Sequence, residues 1–294
     1  MRRIQQLLKE KAGETNTPLW IIEKDYALSY LLAGISEVPS LKGALALKGG
    51  TAIKKAYFQK ARFSEDLDFS TYSQLDDTAI REGVNQAAEI MENMLIEKGP
   101  FSVQCASLEL RLPHPRRQIA YTIRVQYPYH REATCRLKVE ITVDEPVFLA
   151  PESRIILHDY DEVFSANTKV YQISEIVAEK YRALIQSLER LRNKGWGANR
   201  VCRDYYDLWW VLCRENLINS DIPSLVDRKC AVKDVTYEHP DTFFDDSLIT
   251  VAQREWDKLL TPFIPEKISL EGLLSELRLN TQSLFPSRGS SHNP

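Results

Sequence analysis

The sequence predicts an α+β fold, in which a mixed or antiparallel sheet is flanked by helices and followed by a mainly helical C-terminal half. Three observations predict it. An apolar run at 44–47 meets a double glycine, which is typical of a strand that turns sharply into a helix. Residues 101–147 alternate between polar and apolar side chains, as half-buried strands do. Residues 170–191 and 203–216 instead repeat apolar side chains at helical spacing.

The predicted elements follow in chain order. Residues 1–35 have helical apolar spacing, and Thr17-Pro18 marks the start of a new helix. A further helix begins near Thr51, directly after the double glycine. Asp77-Thr78 can cap a long helix that runs from 79 to about 98. The remaining elements are strands at 102–110, 121–127 and 135–146 and helices at 170–191 and 203–216.

The change from alternation to helical periodicity predicts a domain boundary near residue 160. We expect an α/β domain at 1–160, a helical domain at 161–280 and a flexible tail at 281–294. No internal repeat interrupts this division.

The composition is that of an ordinary globular protein, with 44% hydrophobic residues, 27% charged residues and a net charge of −3. No apolar run reaches the roughly 20 residues that span a bilayer, and residues 1–14 lack a signal-peptide core. We therefore expect a cytoplasmic protein with no membrane partner. Because the net charge is slightly negative, any nucleic acid must bind through a local basic patch.

The sharpest chemical signal is the segment 47–69, LKGGTAIKKAYFQKARFSEDLDF. In an extended backbone Asp66 and Asp68 share one face and can bind one hard cation, while the residues between and after them pack behind. Gly49 and Gly50 lack a Cβ, so a phosphate can approach the backbone at the turn. The segment predicts a site for magnesium nucleotide chemistry, although a lone D-x-D is more often a solvated turn.

These residues resemble the AbiEii/AbiGii family of nucleotidyltransferase toxins, within the polymerase-β-like nucleotidyltransferase superfamily. The family pattern is a Gly-Gly or Gly-Ser turn followed by R-x-S-x-D-L-D-F. Three more motifs occur in family order: E-K-D-Y at 23–26, A-E-K-x-x-A-L at 178–184 and R-D-x-x-D-L at 203–208. The residues that match the first pattern are Gly49, Gly50, Arg62, Ser64, Asp66, Leu67, Asp68 and Phe69.

The resemblance implies a nucleotidyltransferase fold whose third metal ligand comes from a neighbouring strand. The strand KVEITVDE offers Glu140 on its polar face, and Asp144 on the same face is the alternative. An exposed strand glutamate is the structural alternative for Glu140. The candidate nucleotide-binding residues are Gly49, Gly50, Thr51 and Ser64. Ser64 shares the face of Asp66, so orienting the metal carboxylates or serving as a simple strand hydroxyl are the alternatives for it.

In the helical half, the resemblance implies that Lys180 contacts the triphosphate, so that this half completes the active-site cleft. It also implies that Asp204 is needed for activity, by holding Lys180 or Arg203 in place. Asp207 ranks below Asp204, and the helix dipole offers a purely structural reason for both carboxylates. Lys54 and Lys55 are weaker candidates for phosphate contact.

The implied reaction is transfer of a nucleoside monophosphate from an NTP to an RNA, especially the 3′ end of tRNA, with two Mg²⁺ ions and release of pyrophosphate. Such a toxin would block translation and growth, act in phage defence and have a cognate antitoxin. Two basic stretches, 114–117 and 190–203, could bind the RNA, and the second includes Trp196. Two alternatives stay open: transfer to a protein or small-molecule hydroxyl, and a non-catalytic nucleotide-binding module.

Overall fold

The computed structural model describes residues 2–108 and 117–285, and the chain divides into two compact units, Met1–Gln172 and Ile173–Pro294. The first unit extends past the predicted boundary near 160, because a strand at 167–170 still pairs with the sheet. The predicted basic turn at 114–117 lies outside the described residues except for its last residue.

Seven strands form one mixed sheet within the described part of the first unit. They are β1 (Leu45–Lys48), β2 (Asp66–Thr71), β3 (Ser102–Leu108), β4 (Gln118–Gln126), β5 (Cys135–Thr142), β6 (Glu152–Ile155) and β7 (Asn167–Val170), in the order β3-β4-β5-β2-β1-β7-β6. Strand β1 is antiparallel to β2, and β2 is parallel to β5. The predicted strands and the mixed sheet are confirmed. Strands β6 and β7 were not predicted.

The helices of the first unit are α1 (Arg2–Glu14), α2 (Leu19–Glu37), α3 (Pro39–Lys42), α4 (Gly49–Ala52) and α5 (Asp77–Leu95). Helix α5 is capped by Asp76 rather than the predicted Asp77-Thr78, because the Asp76 carboxylate accepts the amide N–H of Ala79 at 2.8 Å. Helix α2 packs closely on α5 at Gly34, where a Cβ would lie 2.4 Å from the carbonyl oxygen of Ala87. Helix α4 begins at the double glycine itself and continues as a π-helical turn through 57.

The alternation of β2 and β5 separates a core face from a polar face. On β2, Leu67 and Phe69 are fully buried, and Val139 on β5 is opposite Leu67. Asp66 and Asp68 lie on the other face and are only partly buried. The strand pattern therefore places the carboxylates of the D-x-D motif on one side of the sheet and its apolar residues in the core.

The E-K-D-Y motif lies on α2, and two of its three charged side chains, Glu23 and Asp25, are buried. Glu23 accepts a hydrogen bond from the Tyr129 hydroxyl at 2.8 Å and lies 2.9 Å from Nε2 of His130. Lys24 pairs with Glu65 at 3.0 Å, immediately before β2. The motif thus ties α2 to the segments that flank the central strands.

The second unit consists of helices in its described residues, as predicted. They are α6 (Ile173–Lys194), α7 (Val201–Trp209), α8 (Ile222–Val232), α9 (Asp246–Glu255) and α10 (Leu270–Leu284). Helix α10 extends into the predicted tail at 281–294, because Thr281 and Leu284 are buried and the Thr281 hydroxyl meets the Tyr181 hydroxyl at 2.7 Å. Residues 286–294 lie outside the described part of the chain. None of the helices described in either unit has the length and apolar character that a membrane crossing requires.

Candidate active site

The double-glycine turn makes room for a carboxylate of the site. Gly49 has a φ of +72°, which side-chain-bearing residues rarely adopt. A Cβ on Gly49 would lie 3.0 Å from Oδ2 of Asp68. The Thr51 hydroxyl donates to the carbonyl oxygen of Asp66. The turn between β1 and α4 therefore packs directly against β2. Glycine at position 49 allows both the left-handed backbone and the close approach of Asp68.

The strand register brings the three predicted metal ligands to adjoining positions of the sheet. Asp68 on β2 is directly opposite Lys48 on β1 and Glu140 on β5, so these three side chains share the polar face. Asp66 is opposite Lys138 on the same face, two residues before Asp68. The backbone thus presents three carboxylates on two neighbouring strands.

The side chain of Glu140 is bonded within its own strand and to β4. Its Oε1 lies 2.8 Å from Nζ of Lys138 and accepts a hydrogen bond from Gln118 at 3.2 Å. Among the residues that the structure describes, no group of three His, Cys, Asp or Glu side chains converges as a metal ion would require. The donor set still fits Mg²⁺, which prefers carboxylate oxygens, provided that Glu140 exchanges Lys138 for the metal.

The alternative ligand, Asp144, lies beyond the last residue of β5 and is exposed. It lines a groove of about 1090 Å³ formed by 71–76, 143–147 and 149–151, at the C-terminal ends of β2 and β5. Its neighbour Glu145 is buried and pairs with Lys48 at 2.7 Å. Strand alternation alone does not locate Glu145, because the strand ends at Thr142.

The remaining residues of the R-x-S-x-D motif lie in the segment that precedes β2. Arg62 and Ser64 are buried, and the Arg62 guanidinium donates to the carbonyl oxygen of Phe63 at 3.1 Å. The arginine therefore bonds to the backbone of the segment that carries Ser64 into β2.

The weaker candidates for phosphate contact, Lys54 and Lys55, point into the protein instead. Lys55 is almost fully buried and pairs with Asp25 of α2 at 2.7 Å. Lys54 donates to the carbonyl oxygen of Gln59 and lies over the ring of Phe63. Burial lowers the pKa of Lys54 to about 8. Neither lysine is available to a triphosphate, so that expectation was wrong.

In the second unit, Lys180 of α6 is held by both carboxylates of the R-D-x-x-D-L motif. Its Nζ lies 2.7 Å from Asp204 and 2.8 Å from Asp207, on adjacent turns of α7. Arg203 points elsewhere, donating to the carbonyl oxygen of Leu259 at 2.7 Å and lying over Phe263. Asp207, which ranks below Asp204 by sequence, makes the same contact and is the more buried of the two.

Comparison with known proteins identifies the family of the chain. The profile of the family described as the nucleotidyl transferase AbiEii toxin of a type IV toxin–antitoxin system matches residues 30–276. The chain therefore belongs to the AbiEii family of nucleotidyltransferase toxins, and the predicted membership and enzyme class are confirmed.

A solved structure supports the fold independently. MenT4, a nucleotidyltransferase toxin from Mycobacterium tuberculosis H37Rv, superposes with a TM-score of 0.60 at 19% identity, covering 91% of this chain and 85% of its own. At that identity the similarity is one of fold, and it confirms the predicted nucleotidyltransferase fold. No curated protein matches the sequence significantly.

Proposed function

We propose that this toxin transfers a nucleoside monophosphate from an NTP to the 3′ hydroxyl of an RNA, and that this RNA is a tRNA. The observation that carries this proposal is the polar face shared by Asp66, Asp68 and Glu140 beside the Gly49 turn. Transfer to the end of a tRNA would block translation and growth in the cytoplasm, where both substrates occur. The antitoxin of such a system would oppose that effect, in keeping with a role in phage defence.

The chemistry follows from charge. The acceptor oxygen forms a bond to the α-phosphorus, the bond to the bridging oxygen breaks, and pyrophosphate leaves while the hydroxyl proton passes to a site carboxylate. Asp66, Asp68 and Glu140 would hold two Mg²⁺ ions, whose charge would offset that of the triphosphate and of the attacking and leaving oxygens. Of this chain's residues, Asp68 is positioned by Gly49, and Asp66 by the Thr51 hydroxyl on its carbonyl.

The nucleotide would be bound by Gly49, Gly50, Thr51 and Ser64, with Lys180 supplying a positive charge for the triphosphate. The two aspartates on α7 fix the direction of this flexible side chain, and Lys180 would reach the triphosphate by exchanging a carboxylate for a phosphate oxygen. We therefore expect Asp204→Asn and Asp207→Asn each to raise the KM for NTP. The free energy that corresponds to this rise should exceed the loss in unfolding free energy.

The third ligand can be assigned by a matched pair of variants. Glu140→Gln removes a carboxylate opposite Asp68, whereas Asp144→Asn removes an exposed one beyond the strand. Glu140→Gln should lose transfer by at least the 10²-fold that loss of a positioned charge costs, and Asp144→Asn should retain it. The reverse result would reassign the ligand to Asp144.

The acceptor is tested by incubating the enzyme with each labelled NTP and total cellular RNA, then dividing the product between RNase and protease. Label that RNase releases, and that sequencing locates at tRNA 3′ ends, supports the proposal. Label that only protease releases would identify a protein hydroxyl as the acceptor. Label in the low-molecular-weight fraction before either treatment would identify a small molecule.

A further inference from the structure

A solvent-exposed tryptophan lies in the connection between α6 and α7. We define the Trp196 loop as residues 194–200. The Trp196 side chain is 71% exposed, although burial of an indole is among the larger hydrophobic gains available to a fold. Gly195 and Gly197 on either side have φ values of +73° and +99°. The backbone conformation of the loop thus depends on glycine and keeps the indole out of the core.

The surroundings of this indole are cationic. Nζ of Lys194 lies 5.9 Å from the centre of the indole, and Lys194 forms no ion pair with any carboxylate in the described part of the chain. Arg190 is exposed, and its Cδ would lie 3.7 Å from a Cβ on Gly197, so its stem runs beneath the loop. Arg192 is also nearby in the sequence, but its charge is offset by Asp245 at 3.0 Å.

A second exposed tryptophan provides an internal comparison. Trp20 on α2 is 46% exposed and has Nζ of Lys24 at 5.4 Å. The charge of Lys24 is already offset by Glu65 at 3.0 Å. The two tryptophan–lysine pairs therefore have similar lysine-to-ring distances, and the pair at Trp196 retains a cation that can meet a phosphate.

We propose that the Trp196 loop binds an unpaired nucleotide of the RNA acceptor, with the base stacked on the indole and its phosphate beside Lys194 and Arg190. Base–aromatic stacking next to cationic side chains is how proteins bind single-stranded nucleic acid without reading its sequence. The positive charge favours RNA over an apolar protein partner, which would not need the cations. This inference rests on the proposed function, because it assigns part of the acceptor's binding surface.

The test is binding of the full chain to a fluorescently labelled single-stranded RNA oligonucleotide. Trp196→Ala should weaken binding about 5- to 150-fold, which is the range for loss of one stacked base. Trp196→Phe should restore most of the affinity, because it keeps an aromatic face. Trp20→Ala is the matched control and should bind as the wild type does. Lys194→Ala should lower the slope of log affinity against log salt by about 0.7.

Several outcomes would overturn the inference. Equal RNA affinity of Trp196→Ala and Trp20→Ala would do so. Loss of antitoxin binding by Trp196→Ala, with its RNA binding unchanged, would do so as well. Binding is measured separately from catalysis in the Asp66→Ala variant, which should bind RNA normally. If the wild type binds RNA through Trp196 but transfers no nucleotide, the proposed function fails, and the Trp196 loop remains an RNA-binding site but not one for an acceptor. If it transfers nucleotide without any dependence on Trp196, the inference fails alone.

Discussion

The buried pair of Asp25 and Lys55 offers the clearest structural prediction in the first unit. The two side chains are 2% and 1% exposed and lie 2.7 Å apart, joining α2 to the turn that follows the double glycine. The Ser29 hydroxyl accepts from Lys55 at 2.9 Å, and the Tyr160 hydroxyl donates to Asp25 at 3.0 Å. Lys55→Met keeps the length of the side chain and removes the charge together with the hydrogen bond to Ser29.

The expected cost follows from leaving Asp25 alone in the interior. Burial by itself would raise the pKa of Asp25, and the charges of Lys55 and Lys54 lower it below the ordinary value. Without Lys55 the pKa should rise, and the carboxylate is destabilised whether it stays charged or takes up a proton. Removing one partner of a buried pair costs about 3–5 kcal/mol, a large part of the roughly 5–15 kcal/mol by which domains are stable.

The assay is urea unfolding of the wild type, Lys55→Met, Asp25→Asn and the double variant. The double variant should cost less than the sum of the single variants, because neither charge is then left unpaired. Arg192→Met is the control for an exposed pair and should cost no more than about 1 kcal/mol. A cost below about 1 kcal/mol for Lys55→Met, or strict additivity in the cycle, would refute the reasoning.

Three further predictions concern the first unit. Gly49→Ala should cost about 1–2 kcal/mol in unfolding free energy, because residue 49 has a left-handed backbone. It should also lower the rate of nucleotide transfer, because the new Cβ would lie 3.0 Å from Oδ2 of Asp68 and displace it. A wild-type rate of transfer would contradict this contact. Lys138→Met should bind Mg²⁺ a few-fold more tightly, as measured by calorimetry. The reason is that the variant loses about 0.2–1 kcal/mol of attraction between Lys138 and Glu140, which competes with the metal. Weaker binding of Mg²⁺ would show that the lysine does not compete. Burial would raise the pKa of Glu162, but hydrogen bonds from a histidine, a lysine and two tyrosines lower it to about 2. Because the folded pKa is depressed, the stability that Glu162 contributes is complete above about pH 4.5 and is lost as pH falls towards 2. The stability difference between wild type and Glu162→Gln should therefore shrink between pH 6 and pH 3, and a constant difference would count against this pairing.

Local patterns were sufficient to predict the central strands and the position of their carboxylates. The i, i+2 spacing of Asp66 and Asp68 assigns them to one face of any strand, and the alternation of 135–142 does the same for Glu140. The register that sets Asp68 opposite Glu140 confirms that geometry. The alternation does not predict the ion pair of Glu140 with Lys138, because it shows only that both residues lie on the same face.

The elements that escaped prediction depend on distant partners. Strands β6 and β7 have four residues each, with too few apolar side chains to show a period. They exist because β7 pairs with β1 and β6 pairs with β7. The burial of Lys55 is likewise decided by Asp25, far away in the sequence. Charged residues in a helix are ordinarily solvated, so the sequence alone favours exposure for both.

The motif on α7 illustrates the same limit at a smaller scale. The spacing of Asp204 and Asp207 places them on one helix face, which is readable from sequence. That both of them meet Lys180 depends on how α6 packs on α7. The contact with Lys180 does not separate Asp204 from Asp207, so the higher rank of Asp204 stays a prediction.

The most direct test of the central claim follows a label on the α-phosphate of the NTP and, in a parallel reaction, on the γ-phosphate. The purified wild-type protein with Mg²⁺ and RNA should move the α-label into RNA and release the γ-label as pyrophosphate. Asp66→Ala, verified to be folded by its unfolding curve, should do neither. Equal α-label incorporation by wild type and Asp66→Ala, or γ-label in the RNA, would contradict nucleotidyl transfer at this site.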